Sequence, residues 1–194
     1  MRYGSGRGAD GRLDGIARRL EPSRMTSAVA IRSVRADEWA ALRAVRLRAL
    51  QDSPDAFGST YAREETLPEG AWRERTESSA MGADGVTLIA AIEDGWIGMT
   101  MSRLDREDAT VAGLYGLWVA PSARRAGIGR RLVAAAAAWA RERGARRMVL
   151  LVVASNADAV ALYRQAGFVE TERTIPLPRD PSIVEIEMEL TLDW

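Results

Sequence analysis

Residues 147–153, RMVLLVV, form a nearly unbroken apolar run rich in valine and leucine. A run of that kind belongs to a strand covered on both faces. Another apolar run, TVAGLYGLWV (110–119), precedes it. Between the two lies a stripe of Ile128, Leu132, Ala135/Ala136 and Trp139 that stops at Gly144. Its i, i+4, i+7/i+8, i+11 spacing is that of an amphipathic helix closed by glycine. Strand, helix and strand make a crossover unit, which requires the strands to be parallel and the connection right-handed. The chain is therefore α/β, with at least one parallel pair inside a covered sheet.

The remaining segments read differently. Ala28–Val34 alternates as a first strand, and a helix follows from about Asp37 with Trp39, Leu42, Val45 or Arg46, and Ala49 or Leu50 on one face. DSPDAFGS (52–59) breaks it. Thr66-Leu67-Pro68-Glu69 has the form of a capping box opening a helix through Trp72. VTLIAAI and WIGMTMS form a hairpin, with Asp94-Gly95 at the turn. After 147–153 come a helix over 157–166 ending at Gly167 and strands near 168–174 and 183–190, separated by the proline-rich IPLPRDPS. A mostly antiparallel meander thus feeds the single crossover. Residues 1–24, with six arginines and five glycines, read as a disordered leader, and 25–194 as a single domain.

Composition narrows the chemistry. The chain has no histidine and no cysteine, and all 27 of its basic residues are arginine. That excludes Ser-His-Asp and Cys-His catalysis, the usual His/Cys metal sites, a Schiff-base lysine and a Walker A lysine. No metal cofactor is expected. Zero formal charge gives no bulk attraction to nucleic acid or to an anionic membrane. No apolar run approaches the ~18–20 residues of a membrane span, so a cytoplasmic home is the expectation.

The turn VAPSARRAGIGRRL (119–132) concentrates what chemistry remains. The first amides of a helix lack intrahelical acceptors and stand at the positive end of its dipole, a ready site for an anion. Gly127 and Gly129 let the backbone approach such an anion, and Arg124, Arg125, Arg130 and Arg131 add charged donors. Arg-x-x-Gly-x-Gly reads as a pyrophosphate cradle, or simply as a tight strand-to-helix turn with solvated arginines. A dinucleotide fold fits less well, because the third glycine of G-x-G-x-x-G and the acid about 20 residues on are missing.

Residues 117–168 resemble the cofactor-binding core of the GNAT superfamily of N-acetyltransferases. Three separated signals carry the resemblance: V-x-P-x-x-R-x-x-G-I-G after a strand, Asn156 just past the next strand, and A-L-Y-x-x-x-G-F over 161–168. It implies a seven-stranded, mixed, mostly antiparallel sheet with helices on both faces and a central parallel pair splayed at the cofactor. It also implies acetyl-CoA as co-substrate and direct acetyl transfer to a primary amine of a small molecule or peptide. By the same resemblance the pantetheine arm pairs with backbone near Leu117, Trp118 and Val119, where Gly113 and Gly116 permit a bulge. The pyrophosphate lies on the turn Arg125-Ala126-Gly127-Ile128-Gly129-Arg130 with Arg124 beside it. Homodimers are common in the family.

Several roles stay open at this stage. Asn156 suits a pantetheine contact and equally a helix N-cap. Tyr163 suits the acid that protonates a departing thiolate, or packing beside Leu162 and Phe168. Family members often carry glycine at the position of Arg125, so its side chain either meets phosphate or faces solvent. Relatives often place a glutamate on the strand over 110–119, which here has no acid; Glu64, Glu65, Asp55 and Glu93 are the remaining candidate bases. Phe57, Tyr61 and Trp72 are candidates to wall an apolar acceptor pocket with Glu64 and Glu65 attracting an amine, or simply for ordinary packing and surface charge. The alternative to an enzyme is an acyl-CoA-binding sensor or interaction module on the same fold.

Overall fold

The computed structural model describes residues 29–93, 95–177 and 179–192. The elements run β1 (Ala30–Ser33), α1 (Trp39–Asp52), α2 (Tyr61–Glu65), α3 (Glu69–Met81), β2 (Gly85–Ile92), β3 (Gly95–Leu104) and β4 (Val111–Val119). There follow α4 (Ile128–Glu142), β5 (Arg147–Val153), α5 (Ala157–Gln165), β6 (Val169–Leu177) and β7 (Asp180–Thr191). All strands join one sheet in the order β1-β2-β3-β4-β5-β7-β6. Every neighbouring pair is antiparallel except β4 and β5. The seven strands and the central parallel pair are those the sequence led us to expect. None of the helices among the described residues is long and apolar enough to cross a membrane.

Helices cover both faces of the sheet. Thr87 Oγ1 donates to Ser79 Oγ of α3 at 3.0 Å, which places the cross-strand row Thr87, Met101 and Tyr115 on the face that α1 and α3 cover. The opposite row, through Ala90 and Gly98, meets α4, where Leu132 Cδ1 lies only 3.2 Å from where a Gly98 Cβ would stand. Ile128, Leu132, Val133, Ala136, Trp139 and Ala140 of α4 are all buried against the sheet. Burying one such leucine contributes roughly 1.5–3 kcal/mol, and the small alanines between let the helix sit close. On the other face Leu42, Leu50 and Trp72 fill the space under α1 and α3.

Three local expectations give way. Thr66 does not cap α3: it closes α2, its hydroxyl donating to the Arg63 carbonyl at 3.0 Å, while Pro68 stands at the N-cap of α3. The five-residue α2, capped by Thr60 accepting from the Arg63 amide, competes for the same residues. The proline-rich stretch does not separate the last two strands but belongs to them, with Pro176 opposite Val184. β6 is an edge strand, where a residue without an N–H costs no ladder bond. Residues 1–24, Ala28 and Asp94 of the hairpin turn lie outside the described residues.

Candidate active site

β4 and β5 pair over only three positions, Val111↔Arg147, Ala112↔Met148 and Gly113↔Val149, and then separate. The reason lies on the other edge of β4. Met99 faces Trp118 and Met101 faces Tyr115, so Gly116 and Leu117 together oppose Thr100 alone. That extra residue is a β-bulge, and Gly116 sits in it at φ +62°, a left-handed conformation suited to glycine. Gly113 takes no part in it; instead the Tyr115 ring lies over it, with the hydroxyl 2.2 Å from where a Cβ would stand. β5 stays with β7 to its end, Val153↔Glu185. The bend of β4 therefore opens a gap between the two parallel strands.

A cleft of about 600 Å³ lies at this gap. Leu117, Trp118, Val119, Arg124, Arg125, Gly127, Ile128, Gly129, Arg130, Asn156 and Tyr163 all line it. Ala126 does not: it packs, half-buried, against the core. The Ala120 amide donates to the Ile97 carbonyl at 2.8 Å, so the alternation of an antiparallel ladder turns the Val119 amide away from β3, toward the gap. The Val119 carbonyl is already occupied by Arg124 Nε at 3.0 Å. Only the N–H of Val119 is left to pair with a guest.

The start of α4 faces the same cleft. Gly127 is its N-cap at φ +76°, with no side-chain cap and no acid in the first turn. The Ile128, Gly129 and Arg130 amides lie within the helix's first turn, before any intrahelical acceptor is available. Gly129 also allows α5 to come close, since a Cβ there would lie 2.7 Å from Leu162 Cδ1. Backbone donors and small residues thus form this wall.

The four arginines of the turn divide. Arg124 is tied to Asp52 as well as to Val119, and Trp118 Nε1 donates to the same Asp52 oxygen at 2.9 Å. Burial disfavours the Asp52 charge, but the Trp118 and Ser53 hydrogen bonds and the Arg124 charge outweigh it and hold the carboxyl below its ordinary value. Sequence reasoning passed over Asp52. A signal was there: an acid on the last residue of a helix opposes the dipole and therefore calls for a partner elsewhere. Arg131 Nη2 turns to the Val29 carbonyl at 2.8 Å. Arg125 is a non-glycine residue at φ +63°, its side chain 89% exposed and 4.0 Å from Asp158. Arg130 is exposed beside the cleft.

Asn156 Oδ1 accepts from the Ala159 amide at 3.2 Å and caps α5, while its side-chain nitrogen has no partner among the described residues. Tyr163 is buried beside Phe168, the ring centroids 5.7 Å apart, and reaches the cleft. Its hydroxyl has no hydrogen-bond partner among the described residues, and burial pushes the phenol well above its ordinary value. The proton stays on oxygen at neutral pH.

A second, larger cleft of about 1020 Å³ opens on the α1/α3 face. Glu64 lies in it, nearly fully buried, accepting from Arg46 Nη2 at 2.8 Å and from Arg75 Nη1 at 3.1 Å. Burial raises the cost of its charge, yet the Arg46 hydrogen bonds and charge, with help from Arg75, keep the carboxyl below its ordinary value. A carboxylate held so is a poor base. Asp55 pairs with Arg179 on the surface. The Glu185 carboxyl moves the other way, raised by burial against the nearby Arg179 charge. Trp72 is buried behind Arg75 rather than walling a pocket.

Residues 46–168 match the family model described as the Acetyltransferase (GNAT) family. An aminoglycoside N(6')-acetyltransferase type 1 of Stenotrophomonas maltophilia is 33% identical over 118 residues, 56% of this chain and 77% of its own length. A mycothiol acetyltransferase of Saccharomonospora viridis is 32% identical over 110 residues, 53% of this chain but only 36% of its own. Among solved structures, a GNAT-family acetyltransferase of Streptococcus pneumoniae superposes with a TM-score of 0.73 at 21% identity, over 85% of this chain and 99% of that one. YncA of Salmonella typhimurium, solved with its cofactor acetyl-CoA, gives 0.69 at 20% identity, over 86% and 95%.

Proposed function

The chain belongs to the GNAT acetyltransferase family, and on that premise we propose that it moves an acetyl group from acetyl-CoA to a primary amine of a small molecule. The observation that carries the reading is the gap beyond Gly113↔Val149, flanked by an uncapped helix start and a protonated phenol. The cleft fits such a donor: a strand-like arm can lie along the bulged end of β4 at Leu117, and an anion can lie on the amides at the head of α4. When bound, acetyl-CoA supplies the acetyl thioester. This chain's residues do the rest. The α4 amides and Arg130 hold the anionic end; the Val119 N–H orients the acyl end and favours negative charge on its oxygen. Tyr163 keeps a proton on Oη, facing the cleft, where a departing thiolate needs one. Asp52 fixes Trp118 and Arg124, and so the shape of the turn. The reading carries with it a cytoplasmic location.

Titration calorimetry with acetyl-CoA tests the cleft, and release of free CoA thiol in the presence of a panel of amines tests transfer. Binding with amine-dependent thiol release is the expected result. No heat at millimolar acetyl-CoA would sink the reading, and binding without amine-dependent release would leave a sensor on the same fold. Tyr163→Phe should lower kcat by roughly 10²–10⁴-fold. Its Tm should hold, because the hydroxyl it removes bonds nothing among the described residues.

A further inference from the structure

Two clefts approach each other at the β4 bulge. Leu117 lines the donor cleft, Tyr115 lines the larger one, and Gly116 lies between them. The charged group at this junction is Arg46. Its Nη1 stands 3.4 Å from where a Gly116 Cβ would be, and its guanidinium lies 4.8 Å over the Phe57 ring, itself on the donor cleft. Nε and Nη2 of Arg46 are spent on Glu64. Nη1 is fully buried and has no hydrogen-bond partner among the described residues. A buried charged donor left without an acceptor is costly, so its presence beside a cleft points to a guest.

Charge identifies the guest. Arg46 and Arg75 share a single carboxylate, Glu64, so the floor of the larger cleft carries a net positive charge. Arg75 is 39% exposed and within reach of the cleft, its guanidinium stacked 4.8 Å over Trp72. The Met101 methyl lies 3.0 Å from the same Gly116 position and lines the larger cleft, and its flexible thioether can swing to admit a guest. Glu74, Asp84, Asp105, Arg103 and Arg106 also line this cleft and give it a mixed charge away from Arg46.

Resting on the acetyltransferase reading, the geometry points to an acceptor that carries a carboxylate next to its amine, an amino acid or a close analogue, held by Arg46 Nη1 and Arg75. In an α-amino acid both groups sit on one carbon. Seating the carboxylate at Arg46 therefore leaves the amine within a few ångström of the bulge, where the donor cleft ends. A polycationic acceptor meets two guanidinium groups with only one carboxylate between them at the same place.

The test offers the full-length protein, with saturating acetyl-CoA, a set of amino acids, their α-amides, the corresponding decarboxylated amines and an aminoglycoside, reading CoA thiol release. The expected result is a kcat/KM at least tenfold higher for amino acids than for matched amides or amines. Millimolar amino acid, but not its amide, should also raise the Tm of the protein alone. Arg75→Gln should raise the KM for amino acids at least tenfold and change kcat/KM for the decarboxylated amines less than twofold. Equal or faster turnover of amides or the aminoglycoside overturns this inference and leaves the enzyme reading standing, as does an Arg75→Gln loss shared by all acceptors. Turnover of none of them, with acetyl-CoA bound, overturns both.

Discussion

The cleft at the head of α4, which we propose takes the acetyl donor, and the larger cleft, which we propose takes the acceptor, meet at one glycine, yet they are made of different materials. The first is a backbone site: a free amide on β4, the uncapped start of α4, glycines at 127 and 129. The second is a side-chain site: a buried Arg46–Glu64 pair joined by the part-exposed Arg75, drawn from α1, α2 and α3. A backbone site tolerates change of side chain wherever the main chain keeps its path. A side-chain site does not, because each partner neutralises another.

The largest expected effect therefore falls on the acceptor side. Glu64→Gln leaves Arg46 and Arg75 facing each other without their shared carboxylate. Breaking a buried pair from one side costs about 3–5 kcal/mol, a fall in Tm of roughly 6–20 °C for a domain of this size. The pH dependence has a definite sign. Because the folded carboxyl lies below its ordinary value of 4.5, its stabilisation is complete above that value and fades as pH falls through the lower, folded one. Wild-type protein should lose stability more steeply than Glu64→Gln in that acid window, as thermal melts from pH 6 to 3 would show. Parallel curves would mean that the triad is not the weak point of this half.

That half was also the harder one to read. Arg46 lies on the face of α1 that carries Leu42 and Leu50, and its partners stand 18 and 29 positions along the chain, so no local spacing announces the cluster. Glu64 drew notice as a candidate base and as an attraction for an amine, roles its two arginines oppose. The donor half was legible because its parts follow one another within 117–168 and obey local rules: a strand, an arginine-glycine turn, a stripe, an asparagine cap. What failed there was side-chain destination. Nothing in VAPSARRAGIG says that Arg124 would be drawn to Asp52, 72 positions away, or that Arg131 would leave for Val29. The proline-rich stretch misled for a related reason, since only the sheet order reveals that β6 is an edge.

A middle-sized effect tests whether Gly129 serves the cradle or merely the packing of α5. Gly129→Val drives side-chain atoms into Leu162, already 2.7 Å from the Cβ position, an overpacking worth about 1–3 kcal/mol. Acetyl-CoA affinity should fall at least a hundredfold. Adding Leu162→Ala gives the valine room and should restore much of the Tm. If affinity stays low in the double variant, close approach to the backbone is what the glycine provides. If affinity returns with stability, packing alone explains it.

The smallest effect sharpens the contrast most, because it removes charge from the donor cleft without touching its main-chain path. Arg125 holds a left-handed conformation that costs an L-residue about 1–2 kcal/mol. Glycine adopts it freely but gives back about 0.5–1 kcal/mol through the entropy of the unfolded chain. Arg125→Gly should thus raise Tm by one to three degrees. The side chain is almost wholly exposed, and its ion pair with Asp158 is long and open to water, so little is lost with it. On a backbone cradle, the Kd for acetyl-CoA should stay within threefold at physiological salt. A tenfold weakening that disappears at high salt would instead make Arg125 a phosphate contact. The strain at φ +63° would then be tolerated for its charge, and the donor cleft would depend on side chains as its neighbour does.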